Sequence, residues 1–141
     1  MNYDVTKEQL KERFKQYAIN VAFFVLKLPY NIVNKNYSDQ LERAASGAAA
    51  NYRASLRAKS NPDFLNKFKI VEEELDELLF FVELIGVFHP SYEKQISPIY
   101  REGNELLSII AASLDTLRKK QTNRKSSFVS RKWKTGQKYH R

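Results

Sequence analysis

The sequence contains no cysteine, and this absence excludes a disulfide framework, a thiolate metal site and a cysteine nucleophile. Its four glycines are scattered along the chain, so no glycine-rich loop is available to hold a phosphate group. The chain also lacks a Walker motif, a dinucleotide-binding fingerprint, an HExxH motif and a Gly-x-Ser-x-Gly motif. We therefore expect a protein that is not an enzyme and that uses no cofactor.

Histidine is nearly as scarce, because the chain has only His89 and His140. Helical bundles that bind two iron ions take their imidazole ligands from Glu-x-x-His motifs on two helices. Neither histidine has a glutamate three positions before it. We interpret the acidic stretch EEELDE, residues 72–77, as a solvated helix face in which one or two carboxylates pair with arginines. No metal site is expected.

Long apolar runs are missing as well. The most apolar stretch spans residues 17–29 and is interrupted by Asn20 and Lys27, whereas a membrane-spanning helix needs about 20 mostly apolar residues. The first residues, MNYDVTKEQLKERF, include acidic side chains and lack the apolar core of a signal peptide. We expect a cytoplasmic protein without a membrane span.

Positive charge is concentrated at the C-terminal end. The chain carries 24 basic and 16 acidic residues, a formal net charge of +8. Residues 118–141 hold ten of the basic residues and none of the acidic ones, so residues 1–117 hold 14 basic and 16 acidic residues. A nearly neutral body with a cationic tail favours a polyanionic partner, which is nucleic acid first and an anionic membrane surface second.

Helical periodicity dominates the chain from residue 6 to about residue 120. Thr6 and Gln9 have the spacing of a capping box, and Pro29 marks the end of a first helix. A second helix is predicted from about Ser38 to Ser60. Spacings of three and four residues place the apolar positions on one face of each helix: Leu10, Phe14, Tyr17, Val21, Phe24 and Leu28, then Leu41, Ala45, Ala48, Tyr52 and Leu56.

A third helix is predicted to begin with Asn61 as its N-cap and Pro62 as its first residue, and Gly86 is a candidate C-terminal cap. A fourth helix begins near Ser91 or with the pair Ser97–Pro98, and this proline is either a first helical residue or a kink. The apolar faces of these two segments are Phe64, Phe68, Val71, Leu75, Leu78, Val82 and Ile85, then Ile99, Gly103, Leu106, Ile110, Ser113 and Leu117.

Four helical segments with short connections, and no strand pattern, predict an all-α fold: an antiparallel up-down-up-down four-helix bundle. We assign residues 1–120 to this bundle. Residues 121–141 mix basic side chains with Ser, Thr, Asn and Gly, so they are predicted to form a flexible, disordered basic tail.

The C-terminal segment combines its charge with the aromatic residues Phe128, Trp133 and Tyr139. Lys and Arg neutralise phosphates, and an aromatic ring stacks on an unpaired base, so the combination suits single-stranded or loop-containing RNA better than a plain duplex. Docking on an acidic partner protein, contact with an anionic lipid surface and simple solubilisation are the alternatives. The candidate nucleic-acid contacts here are Arg118, Lys119, Lys120, Arg124, Lys125, Arg131, Lys132, Trp133, Lys134 and Lys138.

Two arginines of the second helix are further candidates. Arg53 and Arg57 are four residues apart, so they are predicted to be neighbours on one helix face. They either form a ridge that contacts phosphates or serve solubility and pairing with a neighbouring subunit. Asn51 and Tyr52 could bind a base, but a tyrosine in a helix seam favours a core position with its hydroxyl group hydrogen-bonded.

An ion pair is predicted between the second and third helices. Arg43 lies on the helix with many small residues, and Glu74 and Glu77 flank the apolar stripe of the next helix. A guanidinium group holds a carboxylate with two parallel hydrogen bonds and a fixed geometry. We interpret this group as structural, fixing helix register or a contact between subunits.

The stretch QLERAASGAAANYRASLRAKSNPDFLNK, followed by EELDELLFFVELI, resembles the four-helix-bundle family named for intervening sequences in bacterial large-subunit ribosomal RNA genes. That family is similar to the accessory variability determinant of diversity-generating retroelements. The resemblance covers about residues 10–117, and its specific part is residues 40–85. The departures are Ala49 for a glycine, Ala54 for an acidic residue and Phe81 for a tryptophan. The matching positions are Gln40, Leu41, Arg43, Asn51, Tyr52, Arg57, Ser60, Asp63, Phe64, Glu74, Glu77, Phe80, Phe81, Glu83 and Leu84.

The resemblance implies a bundle that assembles into a ring-shaped homopentamer; in the retroelement branch, the ring binds nucleic acid and a reverse transcriptase. We assign to the fold or to subunit contacts the residues Arg43, Asn51, Tyr52, Glu74, Glu77 and Glu83. We therefore expect a non-enzymatic, oligomeric accessory protein that binds nucleic acid, RNA before DNA, through its basic tail and arginine-bearing bundle surface. The alternative is a homo-oligomeric scaffold that recruits a protein partner such as a reverse transcriptase.

Overall fold

The computed structural model describes the backbone of residues 6–134 and the side chains of residues 6–125. This part of the chain forms four helices and contains no β-strand. Each helix packs against its neighbours in chain order, and the first also packs against the fourth, which closes the bundle. The predicted all-α, antiparallel four-helix bundle is therefore confirmed. The helices are α1 (Lys7–Leu26), α2 (Ile32–Ser55), α3 (Asn61–Phe88) and α4 (Glu93–Lys134), and a short 3-10 helix, Pro90–Tyr92, precedes α4.

Side-chain caps define where the first three helices begin. The Thr6 hydroxyl accepts a hydrogen bond from the backbone N–H of Gln9 (3.1 Å), and the Gln9 side chain accepts one from the backbone N–H of Thr6 (2.9 Å). This reciprocal pair confirms the predicted capping box. The side chains of Asn31 and Ser60 cap α2 and α3 with one hydrogen bond each, because each supplies an acceptor to an N–H group that has no partner within its helix.

The boundaries of α2 differ from the prediction. The helix begins at Ile32 and ends at Ser55, whereas the sequence predicted residues 38–60. Its early start is stabilised by Asn34, which is buried and donates a hydrogen bond from its side chain to the backbone oxygen of Pro29 (2.7 Å). The sequence pattern did not show a helix over residues 32–37, because the residue of this stretch that faces the core, Asn34, is polar.

Both ends of α3 also differ from the prediction. Ser60 is the N-cap and Asn61 is the first helical residue, because the Ser60 hydroxyl accepts the hydrogen bond from the N–H of Asp63 (3.2 Å). Gly86 does not cap the helix, which continues to Phe88. The chain leaves the helical conformation at His89, whose φ and ψ are −132° and 62°.

The fourth helix differs most from the prediction. Pro98 lies inside α4, which settles the choice that the sequence left open, since the helix begins at Glu93. At the other end the helix does not stop near residue 120 but continues to Lys134. Residues 121–134, which were predicted to belong to a flexible, disordered tail, are therefore helical; residues 135–141 lie outside the described residues. No proline or glycine occurs between residues 118 and 134, and extending an existing helix is far easier than starting one.

The core follows the predicted apolar faces. Most of those side chains are buried, and the partly buried ones are Leu28, Leu56, Phe64, Ser113 and Leu117. Small residues bring helices close together, as expected for the alanine-rich part of α2. A Cβ atom added at Gly47 would lie 3.3 Å from the carboxyl carbon of Glu74 on α3. In the described residues, no helix has both the length and the apolar character needed to cross a bilayer.

Candidate nucleic-acid interface

The antiparallel order of the helices brings separate basic residues to one end of the bundle. This end contains the start of α1, the turn between α2 and α3, and the point at which α4 passes Leu117; residues from all four helices line one cleft there. We call it the basic end. Its exposed cations are Lys7, Arg53, Arg57, Lys59, Arg118, Lys119, Lys120, Arg124 and Lys125.

Arg53 and Arg57 both lie at the basic end, but they do not share a helix face as predicted. Arg53 is in the last turn of α2, whereas Arg57 lies beyond the C-cap Leu56. The backbone N–H of Arg57 donates to the oxygen of Ala54 (3.0 Å), which turns the chain toward α3. Both arginine side chains are exposed, and among the described side chains neither forms an ion pair.

The continuation of α4 carries the largest group of cations. All residues from 118 to 125 are exposed, so the helix has left the bundle at this point. At about 1.5 Å per residue, the segment 118–134 extends roughly 25 Å past Leu117. Lys119 forms an ion pair with Asp115 (3.0 Å), and within the described side chains it is the only cation of this segment that does so. Four more candidates lie within the last turn of α4: Arg131, Lys132, Trp133 and Lys134. Lys138 lies outside the described residues.

Tyr52 belongs to the core. Its ring stacks on Phe14 with a centroid separation of 4.8 Å and an interplanar angle of 16°. Its hydroxyl group donates to the backbone oxygen of Lys7 (3.3 Å). Burial, followed by the charge of Glu8, raises the pKa of Tyr52 to about 12. The neighbouring Asn51 is half-buried and donates from its side chain to the backbone oxygen of Gly47 (2.9 Å), so its amide is used within α2.

Arg43 contacts both predicted glutamates and joins α2 to α3. Its guanidinium group donates a hydrogen bond to Glu77 and lies 3.5 Å from Glu74 Oε2, an ion pair without a hydrogen bond. Glu74 is the more buried partner, because its carboxylate packs against Gly47. Burial raises the pKa of Glu74, and the charge of Arg43 partly opposes this effect. Glu83 stands apart: it is exposed and accepts a hydrogen bond from Tyr100 (3.1 Å).

A second ion pair, which was not predicted from the sequence, joins α1 and α4. Arg13 donates from Nε and Nη2 to the two carboxylate oxygens of Glu102 (3.2 and 2.5 Å) and lies 3.3 Å from Glu105. The structure also adds Lys7 and Lys59 to the candidate site. Both residues lie beside helix ends, so combining the helix order with the charge pattern would have found them. No group of three potential metal ligands occurs among the described residues.

No protein-family model and no curated protein matches this chain. Among solved structures, the chain is similar to a protein of unknown function in the S23 ribosomal protein family from Bacteroides thetaiotaomicron. The two are 21% identical, the comparison covers 77% of this chain and 97% of that chain, and the TM-score is 0.67. At this level of identity the likeness shows a shared fold alone.

Proposed function

We propose that the chain is a non-enzymatic, homo-oligomeric protein that binds nucleic acid, RNA in preference to DNA, through its basic end. The observation that carries the proposal is the placement of charge. α4 continues past the bundle with eight basic and no acidic residues between positions 118 and 134. It starts from the end that also presents Arg53 and Arg57. Lys and Arg side chains on such a surface attract phosphates and release the counterions bound to them.

The helical conformation of the α4 extension supports this function. A helix holds its cations at fixed spacings along a rod, so less conformational entropy is lost when a phosphate backbone is bound than with a disordered tail. Likeness in fold to a protein of a ribosomal protein family supports RNA as the polyanion. The resemblance of residues 40–85 to the intervening-sequence family, and through it to the retroelement accessory protein, supports the same choice.

The oligomer is part of the proposal, and a homopentamer is the form that the resemblance implies. The end of the bundle opposite the basic end exposes several large apolar side chains, as a contact between subunits requires. More than half of the surface of each is accessible: Phe23, Leu26, Tyr30, Ile32, Phe80, Val87 and Phe88. Light scattering after size-exclusion chromatography should give a mass five times that of the 16.5 kDa chain. A monomeric mass at all concentrations would contradict this part.

The binding test compares two variants that each remove three positive charges. The first carries Lys120→Gln, Arg124→Gln and Lys125→Gln on the α4 extension. The control carries Lys27→Gln, Lys94→Gln and Arg101→Gln, all exposed and far from the basic end. Fluorescence anisotropy with a short single-stranded RNA is measured over a salt series, starting from protein freed of nucleic acid.

We expect the wild-type protein to bind with a log–log salt slope near −3.5, as for about five phosphates on a single strand. The α4 variant should flatten that slope by about 2, because each lost phosphate contact removes about 0.7. The control should keep the wild-type slope. Absence of binding by the wild type at about 100 mM salt would refute the proposal, and equal slopes for the two variants would refute the assignment to the basic end.

The exposed apolar end favours a second candidate function, a scaffold that recruits a protein such as a reverse transcriptase. Pull-down from cells after nuclease treatment tests it. A protein that remains bound after nuclease, and is lost when Tyr30 and Val87 are replaced by serine, would support the scaffold. Loss of all bound proteins after nuclease would leave nucleic-acid binding as the function.

A further inference from the structure

A cleft with a volume of about 570 Å³ opens at the basic end. It lies among the first turns of α1 and α3, the end of α2 and the part of α4 just before the extension. Its size falls within the range of about 300–1,000 Å³ that is usual for small-ligand sites. The cleft is lined by Lys7, Leu10, Tyr52, Phe64, Phe68, Ile109, Ala112, Ser113, Thr116 and Leu117.

Aromatic rings form one wall of this cleft. The ring of Phe64 packs on Phe68 with a centroid separation of 4.5 Å, and Phe68 in turn contacts Tyr52 at 5.9 Å. Phe68 and Tyr52 are buried, whereas Phe64 is only partly buried. Phe64 is therefore a ring with free surface that packs on Phe68, a core residue which in turn contacts Tyr52.

Polar residues also line the cleft. The hydroxyl groups of Ser113 and Thr116 donate to the backbone oxygens of Ile109 (3.0 Å) and Ala112 (3.1 Å). Their oxygen lone pairs stay available to accept a hydrogen bond from a ligand N–H group. On the rim, Lys7 is exposed, and the run of cations on α4 starts directly after Leu117.

We propose that this cleft binds one unpaired base of a single-stranded nucleic acid, stacked against Phe64, while the adjoining phosphates contact Lys7 and the cations of α4. The inference rests on the proposed function and adds a subsite to it. An apolar, aromatic floor beside a cationic rim matches a nucleotide, whose base is flat and weakly polar and whose phosphate is anionic. Stacking on an aromatic side chain tolerates any base, so the cleft favours single strands over duplexes without selecting a sequence.

The test compares two probes and three variants of the full chain. One probe is a short single strand of adenylates, and the other is a strand of the same length made of abasic sugar-phosphate units, which keeps the charge and lacks the bases. Phe64→Leu removes the aromatic ring but keeps an apolar side chain, and Phe64→Tyr keeps the ring. Ala112→Leu fills the cleft from α4 with a residue that favours helix, so it provides a second route if Phe64→Leu fails to fold.

We expect the wild type and Phe64→Tyr to bind the adenylate strand about 5- to 150-fold more tightly than the abasic strand, which is the range for stacking of one base. Phe64→Leu and Ala112→Leu should lose this preference while their salt slopes stay at the wild-type value. Equal binding of both probes by the wild type, with a normal salt slope, would overturn the base subsite and leave the proposed function intact.

Two further outcomes would also refute the inference. Absence of binding to either probe would refute the proposed function and the subsite together. A base preference that arises only after Tyr3→Ser and Val5→Ser would mean that the chain's own first residues occupy the cleft in place of a base.

Discussion

Replacing Gly103 by alanine should destabilise the bundle, although alanine favours helix more than glycine does. Gly103 is buried in α4 at the point where α1 and α3 approach it. An added Cβ atom would lie 2.5 Å from the hydroxyl oxygen of Tyr17, and 3.1 and 3.2 Å from methyl carbons of Leu79 and Leu78. The Tyr17 hydroxyl cannot retreat freely, because it donates a buried hydrogen bond to the backbone oxygen of Ile99 (2.8 Å).

Three contributions determine the magnitude. Forcing a methyl group into a packed core costs about 1–3 kcal/mol. If Tyr17 moves and loses its bond to Ile99, the unpaired buried groups cost about 1–3 kcal/mol more. The gain in helix propensity from glycine to alanine offsets about 1 kcal/mol. We therefore expect a loss in the free energy of unfolding of about 1–5 kcal/mol.

Urea unfolding, followed by the helix signal in circular dichroism at 222 nm, measures this loss. All samples are kept at one protein concentration, because an oligomer gains stability by mass action. Gly86→Ala is the matched control. Gly86 also lies inside a helix, but no atom lies within 4 Å of an added Cβ atom. The control should therefore gain about 0.5–1 kcal/mol from helix propensity alone.

The two substitutions should thus change stability in opposite directions. A Gly103→Ala protein as stable as Gly86→Ala would show that α1 does not pack this closely on α4 at Gly103. A double-mutant cycle adds a sharper check. In a Tyr17→Phe background the contact at 2.5 Å disappears, so Gly103→Ala should cost at least about 1 kcal/mol less than in the wild type.

Other predictions concern polar groups. Burial raises the pKa of Glu74 above its ordinary value of 4.5, so folding favours the protonated carboxyl group, and the stability that this group contributes is lost as the pH rises. Glu74→Gln should therefore raise the free energy of unfolding at pH 7. This gain should shrink as the pH falls below 4.5, where the wild-type carboxyl group is protonated as well. Arg43→Ala should cost about 1 kcal/mol at pH 7 and less at pH 4, because the Arg43 charge lowers the pKa of Glu74; a loss that does not change with pH would contradict this coupling. Urea unfolding over a pH series measures both. Asn34→Ala should cost about 1–3 kcal/mol in thermal or urea unfolding, since Asn34 accepts a hydrogen bond from His89 (2.7 Å) and is buried. The exposed Asn36 is its control, and equal effects of the two substitutions would count against that role.

The direction of the Asn34–His89 hydrogen bond follows from the surrounding groups. The Asn34 amide nitrogen donates to the backbone oxygen of Pro29, which can only accept, so its side-chain oxygen faces His89. His89 must then carry a proton on Nε2. This bond joins the first turn of α2 to the C-terminal end of α3, and it explains why His89 is half-buried.

The sequence by itself determined the number of helices, their apolar faces and the class of fold. These features depend on local chemistry. A spacing of three and four residues creates a stripe on any helix, and Thr6 with Gln9 caps α1 through neighbouring backbone groups. The pairing of Arg43 with the acidic face of α3 was also predictable, because α2 and α3 are joined by a short turn. The excess of positive charge after residue 117 could be found by counting the basic and acidic residues.

The tertiary structure alone decided which residues from different helices meet. Gly103 shows no local reason to be glycine until Tyr17 approaches it, and the Arg13–Glu102 pair joins residues 89 positions apart. The same holds for the basic end, because Lys7 and Arg53 belong to different helices and reach the same end of the bundle only through antiparallel packing. Helix ends such as Ile32 and Ser55 depend on contacts of Asn34 and on the turn at Arg57. Periodicity is set along one helix, whereas a site is set by distances between helices, and those follow from how the side chains of the whole core pack together.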